Sequence, residues 1–145
     1  MEILLKKPAG LRRWLQLYRL YMTAFPMSER KPVSMILRMY QKGTTDIWCL
    51  ERKGKFVGLA ITINGPDLIL LDYFAVSAAH RSEGIGSAAL PALMAHYHDK
   101  GFFLEIECTT EDAPNRQQRL RRKAFYLSCG LQELGAKACL FGVNM

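Results

Sequence analysis

The sequence predicts an α+β protein of six to seven strands and about four helices, its first half helical and then antiparallel β. Three observations predict it. Apolar residues recur at helical spacing over Leu11–Phe25. Three consecutive β-rich runs follow, joined by turn residues. Beyond residue 84 the pattern alternates helix, strand, helix and strands. A chain of 145 residues fits one domain, 1–145, because a domain of about 150 residues buries roughly 68–70% of its unfolded surface and needs no staples.

Met1 to Lys7 reads as a first strand, since its basic pair follows the short apolar stretch, the reverse of a secretory signal. Leu11, Trp14, Leu15, Tyr18, Tyr21, Met22 and Phe25 stand three and four apart, the stripe of an amphipathic helix ending before Pro26. Pro32 opens a second helix that turns Met35, Ile36 and Met39 inward and stops at Gly43. Asp46–Arg52 and Phe56–Ile63 are strands of a hairpin turning at Lys53-Gly54-Lys55. After the turn at Asn64-Gly65-Pro66-Asp67, Leu68–Val76 is nearly all apolar, as in a strand covered on both faces. Ile85–Tyr97 reads as a helix despite Pro91, Phe102–Cys108 as a strand, and Asn115–Ser128 as a basic helix closed at Cys129-Gly130. Leu131–Val143 reads as two short strands turning at Gly135.

Half the residues are apolar and 23% are charged, a globular composition. No apolar run approaches the roughly 18–20 residues that span a bilayer. Cys49, Cys108, Cys129 and Cys139 are widely spaced, which fits reduced thiols in a cytosol better than a disulfide framework or a zinc site. A net charge of +7 favours anionic partners without choosing among them. His80, His96 and His98 have no metal-ligand partner at fitting spacing, so no metal is expected.

The loop Arg81-Ser82-Glu83-Gly84-Ile85-Gly86 joins the apolar strand to a helix. A glycine loop opening a helix aims unpaired backbone N–H groups at one point, where the helix dipole is positive, and so attracts phosphate. Side chains at Gly84 or Gly86 would stand in the way of the oxygens. The loop is neither a Walker loop nor a dinucleotide fingerprint, and a bare Gly-x-Gly at a helix start also serves as a tight turn.

In context, Tyr73-Phe74-Ala75-Val76 followed by Arg81-x-x-Gly84-x-Gly86 resembles the central motif of the GCN5-related N-acetyltransferase (GNAT) superfamily. Ala124-Phe125-Tyr126-Leu127-Ser128-Cys129-Gly130-Leu131 is similar to that family's Phe-Tyr-x-x-x-Gly-Phe segment. The resemblance implies the GNAT fold, a three-layer arrangement about a central mixed, mostly antiparallel sheet of six to seven strands splayed at its centre, and an acetyl group moving from acetyl-CoA to a primary amine by direct attack in a ternary complex. It implies that the backbone at Phe74, Ala75 and Val76 meets the acetyl carbonyl and pantetheine, and that Arg81, Ser82, Glu83, Gly84, Ile85 and Gly86 cradle the pyrophosphate. Tyr126 matches the tyrosine that protonates the departing thiolate. Relatives carry a cofactor-binding asparagine where this chain has Arg119, and Asn115 lies one helical turn off.

The general base is not carried over, because the family's glutamate position holds Leu70. Asp72, in an apolar strand, must be either paired or functional. Glu105 and Glu107 share one face of the next strand and can jointly line the acceptor cleft. The base is Glu107, Glu105 or Asp72, or none of them. Acidic residues there suggest a cationic small-molecule or peptide amine as acceptor. Membrane and nucleic-acid partners are not expected, a homodimer is compatible with the resemblance, and the expected location is cytoplasmic. The rival reading is a non-catalytic acyl-CoA-binding or regulatory module.

Overall fold

The structure, a computed structural model, describes residues 1–106, 116–133 and 139–143. In chain order its elements are β1 (Leu4–Lys6), α1 (Gly10–Ala24), α2 (Val33–Gln41), β2 (Thr45–Arg52), β3 (Lys55–Asn64), β4 (Leu68–Val76), α3 (Ile85–His96), β5 (Gly101–Ile106), α4 (Arg116–Ser128), β6 (Gln132–Glu133) and β7 (Cys139–Val143). Single 3-10 turns occupy Met27–Glu29 and Ala78–His80. Among the described residues the sheet has seven strands in the order β1-β2-β3-β4-β5-β7-β6, and only the β4–β5 pair is parallel. The predicted class and strand count hold; the expected turn at Gly135 and the strand end at Glu107 and Cys108 lie outside the described residues.

The β2–β3 hairpin turns on two residues, Lys53 and Gly54, both at positive φ (52° and 79°). Two such residues make the tight turn whose twist matches that of paired strands. Gly58 on β3 then lets β4 come close, because a Cβ there would lie 2.5 Å from the Ala75 carbonyl oxygen.

β4 carries the feature that shapes the site. Ile61 pairs with Tyr73 but Thr62 pairs with Leu71, so Asp72 is an extra residue, a β-bulge. The bulge reverses which side chains face which layer. Before it, Ile69 and Leu71 point into the core shared with α3; after it, Tyr73 and Ala75 point toward α1 and α2, while Phe74 and Val76 face α3. Both faces of β4 are therefore covered, as its apolar run predicts.

The two cores lie on opposite faces of the sheet. One packs Leu50, Val57, Ile69 and Phe102 against Ile85, Ala89, Leu90 and Leu93 of α3, with Phe125, Tyr126 and Cys129 of α4 at its margin. Within it, Tyr97 donates a hydrogen bond to Asp46 (2.5 Å) and accepts one from the Trp48 indole (2.9 Å), so the phenol and the indole N–H are both satisfied. The other core packs Leu17, Leu20 and Tyr21 of α1 and Ile36 of α2 on Ile47, Leu59 and Ile61.

Two helix faces differ from expectation. α1 is apolar on two stripes, and the core takes Leu17, Leu20 and Tyr21, leaving Leu11, Leu15, Tyr18 and Met22 exposed. Arg13 ties the helix to β2 and the hairpin tip, bonding Glu51 (3.1 Å) and the Gly54 carbonyl (3.0 Å), consistent with the stripe that meets the sheet. On α2, Ile36 is buried and Met39 half-buried, but Met35 is exposed.

Candidate functional site

β4 and β5 pair only at Leu68↔Gly101, Ile69↔Phe102 and Leu70↔Phe103. Beyond Leu70, β4 continues on β3 while β5 continues on β7. The strands part, and between Leu71 and Val76 the β5-facing edge of β4 has no strand partner among the described residues. Backbone donors and acceptors left at such an edge are available to a ligand. The opening is a cleft of about 600 Å³ lined by residues 70–76 of β4, Leu104 and Glu105 of β5, Arg81, Arg122 and Tyr126, and by Ala24 at the end of α1 with Phe25 and Glu29 beyond it.

At one end of the cleft the chain turns from β4 into α3. Arg81 is extended, Ser82 is left-handed (φ 69°), and Gly84 is left-handed again (φ 81°) as the residue that starts the helix. No side chain caps this helix start. Its first N–H groups thus lack intrahelical partners and side-chain acceptors, an arrangement that suits a phosphate group. Arg81 folds back toward the end of β4, its Nε 3.4 Å from the Val76 carbonyl. Glu83 sits within 3.6 Å of Arg52 and 3.4 Å of His80.

The two glycines have different reasons. Gly84 is required by its backbone angle, since a Cβ would meet only the Met1 methyl at 3.8 Å. At Gly86 a Cβ would lie 3.2 Å from Cζ of Phe125 and 3.8 Å from Cε2 of Phe74. That glycine therefore also makes room for α4, a packing reason that the sequence alone did not offer. Ile85 is buried in the core, so only its backbone can reach a ligand.

Across the opening, α4 brings Tyr126 into the cleft beside the exposed Arg122. The Tyr126 ring packs at 5.3 Å from that of Phe125. Burial raises its phenol above the ordinary value of 10.0, and the nearby Arg122 guanidinium offsets this in part, so the hydroxyl is protonated at neutral pH.

The opposite wall belongs to the α1–α2 connection. Tyr73 donates a hydrogen bond to the Glu29 carbonyl (2.7 Å) and accepts one from the Lys31 N–H (3.0 Å), while Tyr21 donates to the Lys31 carbonyl (2.8 Å). The rings of Tyr21 and Phe25 pack edge-on to Tyr73 at 5.0 and 4.9 Å. Lys31 bonds Asp72 through its ammonium, which also lies 5.6 Å from the Tyr73 ring centre. Of the two readings open for Asp72, the structure shows pairing. Glu105 is exposed on the cleft wall. Glu107 and Asn115 lie outside the described residues, as does the side chain of Arg119.

The structure thus brings Asp72, Phe74, Ala75, Val76, Arg81, Glu105 and Tyr126 around one cleft, with Ser82, Glu83, Gly84, Ile85 and Gly86 along the adjoining turn. Sequence reasoning missed Phe25, Glu29, Lys31 and Tyr73 as its second wall. The only sequence signal was the charge of Asp72 in an apolar strand, which demands a partner but does not name one 41 residues away.

A sheet opened beside an uncapped helix start, with a protonated tyrosine across the gap, is the frame of an acyltransferase. The chain belongs to the acetyltransferase (GNAT) family, whose profile matches residues 14–131. The fold is shared with a ribosomal-protein-S18-alanine N-acetyltransferase from Escherichia coli, at 18% identity and a TM-score of 0.69, over 97% of this chain and 92% of that one. An acetyltransferase from Thermus thermophilus matches at 14% identity and a TM-score of 0.72, over 99% and 97%. An acetyltransferase from Bacillus subtilis solved in complex with CoA matches at 10% identity and a TM-score of 0.66, over 99% and 98%. Likeness at such identities establishes fold alone. Comparison by sequence with curated proteins finds no match. Among the described residues no helix is long and apolar enough to cross a membrane.

Proposed function

We propose that the chain, acting as a single cytoplasmic domain, moves an acetyl group from acetyl-CoA to a primary amine by direct attack in a ternary complex. The opening between β4 and β5, flanked by the uncapped start of α3 and by Tyr126, carries this reading. The turn Arg81–Gly86 binds the diphosphate, and the free backbone edge at Phe74–Val76 holds pantetheine and polarises the thioester carbonyl. The acceptor ammonium gives one proton to a base, directly or through water; its nitrogen then forms the amide bond as the C–S bond breaks. The thiolate leaves with the proton of Tyr126, and the second proton shed by the nitrogen returns through water to the tyrosinate, restoring the phenol. Glu105, exposed in the cleft, fits the base better than Asp72, which Lys31 already engages.

The carboxylates of Glu29 and Glu105 line the acceptor side, so a cationic amine is the favoured acceptor class. Release of CoA thiol across a panel of polyamines, amino sugars and peptide amino termini tests the activity. On a substrate so found, Tyr126→Phe lowers kcat by about 10²-fold or more with little change in KM for acetyl-CoA. Unchanged kcat removes the general-acid role. Acetyl-CoA binding without turnover on any amine favours the non-catalytic binding module instead.

A further inference from the structure

The turn assigned above to the diphosphate contains a carboxylate. Glu83 lies between the two left-handed residues Ser82 and Gly84, so its backbone belongs to the anion-binding turn while its side chain carries the wrong charge for it. A free carboxylate beside a diphosphate would repel it, and at the partly exposed surface this repulsion extends over several ångströms.

The structure shows how that charge is handled. Arg52 Nη1 lies 3.6 Å and His80 Nδ1 lies 3.4 Å from the same oxygen, Oε1 of Glu83. Arg52 is the last residue of β2, immediately before the Lys53-Gly54 turn, and reaches Glu83 across 31 positions of sequence. Its neighbour Glu51 is already engaged by Arg13 of α1 at 3.1 Å, and Arg13 also holds the Gly54 carbonyl. Successive residues of a strand point to opposite faces. Glu51 therefore clips the hairpin tip to α1, while Arg52 reaches the turn before α3. The tip is held in place on the first side, which presents Arg52 to Glu83 on the second.

We propose that Arg52 is a positioning residue for the diphosphate site, acting through Glu83: it neutralises that carboxylate and draws it aside, so that the N–H groups at the start of α3 meet the anion without opposition. This rests on the assignment of the turn to CoA. It differs from a direct phosphate contact by Arg52, because the effect should vanish when the Glu83 charge is removed.

Isothermal titration of CoA separates these cases, using the wild type, Arg52→Gln, Arg52→Lys, Glu83→Gln and the double variant Arg52→Gln/Glu83→Gln, with melting temperatures recorded for each. Two unit charges interacting over several ångströms near the surface correspond to roughly a three- to tenfold loss of CoA affinity for Arg52→Gln. Arg52→Lys should retain most of the affinity, and Glu83→Gln should bind at least as tightly as the wild type. In the double variant the loss should disappear, and the loss in Arg52→Gln should shrink as salt is raised. With a substrate in hand, the same variant raises KM for acetyl-CoA and leaves kcat in place. Wild-type affinity in Arg52→Gln overturns the proposal, and so does a loss that persists undiminished in the double variant, which would mean direct contact with the ligand. Failure of the wild type itself to bind CoA refutes the site assignment rather than the coupling alone.

Discussion

Replacing Tyr73 with Phe keeps the ring among Tyr21 and Phe25 and deletes one oxygen, so it isolates what that hydroxyl does for the α1–α2 connection. The hydroxyl donates to the Glu29 carbonyl at 2.7 Å and accepts from the Lys31 N–H at 3.0 Å. A hydrogen bond contributes about 0.5–1.5 kcal/mol net, and a buried group left without a partner costs about 1–3 kcal/mol. Both partners here are backbone atoms at a half-buried site, where water can replace part of the loss, so the two together come to about 2 kcal/mol. The Lys31 carbonyl remains held by Tyr21, which confines the loosening to the cleft wall rather than the whole fold. If the amide exchanges through local opening, about 2 kcal/mol makes exchange at Lys31 roughly 30-fold faster. Hydrogen exchange read at single-residue resolution checks this, with amides of β2 and β3 as internal reference. The same variant should raise KM for the acceptor more than KM for acetyl-CoA, because the displaced wall carries Glu29 and lies away from the turn before α3. Unchanged protection at Lys31 in a folded Tyr73→Phe protein would refute the latch.

Packing of α4 on the glycine in the first turn of α3 gives a second test. Gly86→Ala brings a Cβ to 3.2 Å from Phe125, a cost offset by Ala's helix preference of about 1 kcal/mol, whereas Gly86→Val adds branches with no room and should lose about 1–3 kcal/mol in urea titration. Equal stability of the two variants would mean that α4 does not pack on Gly86. A third expectation concerns alkaline pH. Burial is the largest cause raising the phenols of Tyr21, Tyr97 and Tyr126 above their ordinary 10.0. Above pH 10 the unfolded chain therefore binds fewer protons than the folded one, so stability is fully present below about pH 10 and falls as pH rises further. Absorbance at about 295 nm combined with unfolding should show these three phenols ionising together with loss of structure; ionisation of all three near pH 10 in folded protein contradicts their burial.

Legibility from sequence divides by range. The hairpin was readable because two residues, Lys53 and Gly54, suffice to make it, and β4 because eight of its nine residues are apolar, which leaves few alternatives. The turn before α3 and the Phe125-Tyr126 segment were readable because each is contiguous. The facing of α1 was not, since Leu11, Leu15, Tyr18 and Met22 form as regular a stripe as the one buried, and the contacts that accompany the choice, such as Arg13 with Glu51, span 38 positions. Likewise the bulge at Asp72 is a matter of register between strands, which spacing along one strand does not record. The second wall of the cleft escaped for the same reason: Tyr73 looked like core, and its hydroxyl acquires a role only when residues 29 and 31 are brought beside it.

The arrangement of charge turns these separate contacts into one design. The chain is strongly basic, with a formal charge of +7, and α1 and α2 contain no acidic residue. In such a protein an acidic side chain readily finds a cation, and most around the site do: Glu51 has Arg13, Asp72 has Lys31, and Glu83 has Arg52 and His80. Glu29 and Glu105, both exposed on the cleft, have no ion-pair partner among the described residues. Arg81 and Arg122 line the cleft as well. The cleft thus combines two carboxylates, unpaired among the described residues, with two guanidiniums, one of them in the turn assigned to the diphosphate. A thioester with an anionic tail and an amine with a cationic body can share it without either sitting against its own charge. Asp72, neutralised by Lys31, contributes little to that polarity. Its pair with Lys31 instead joins the α1–α2 connection to the bulge of β4, so the same contact that removes Asp72 from the charge balance holds the acceptor wall in place.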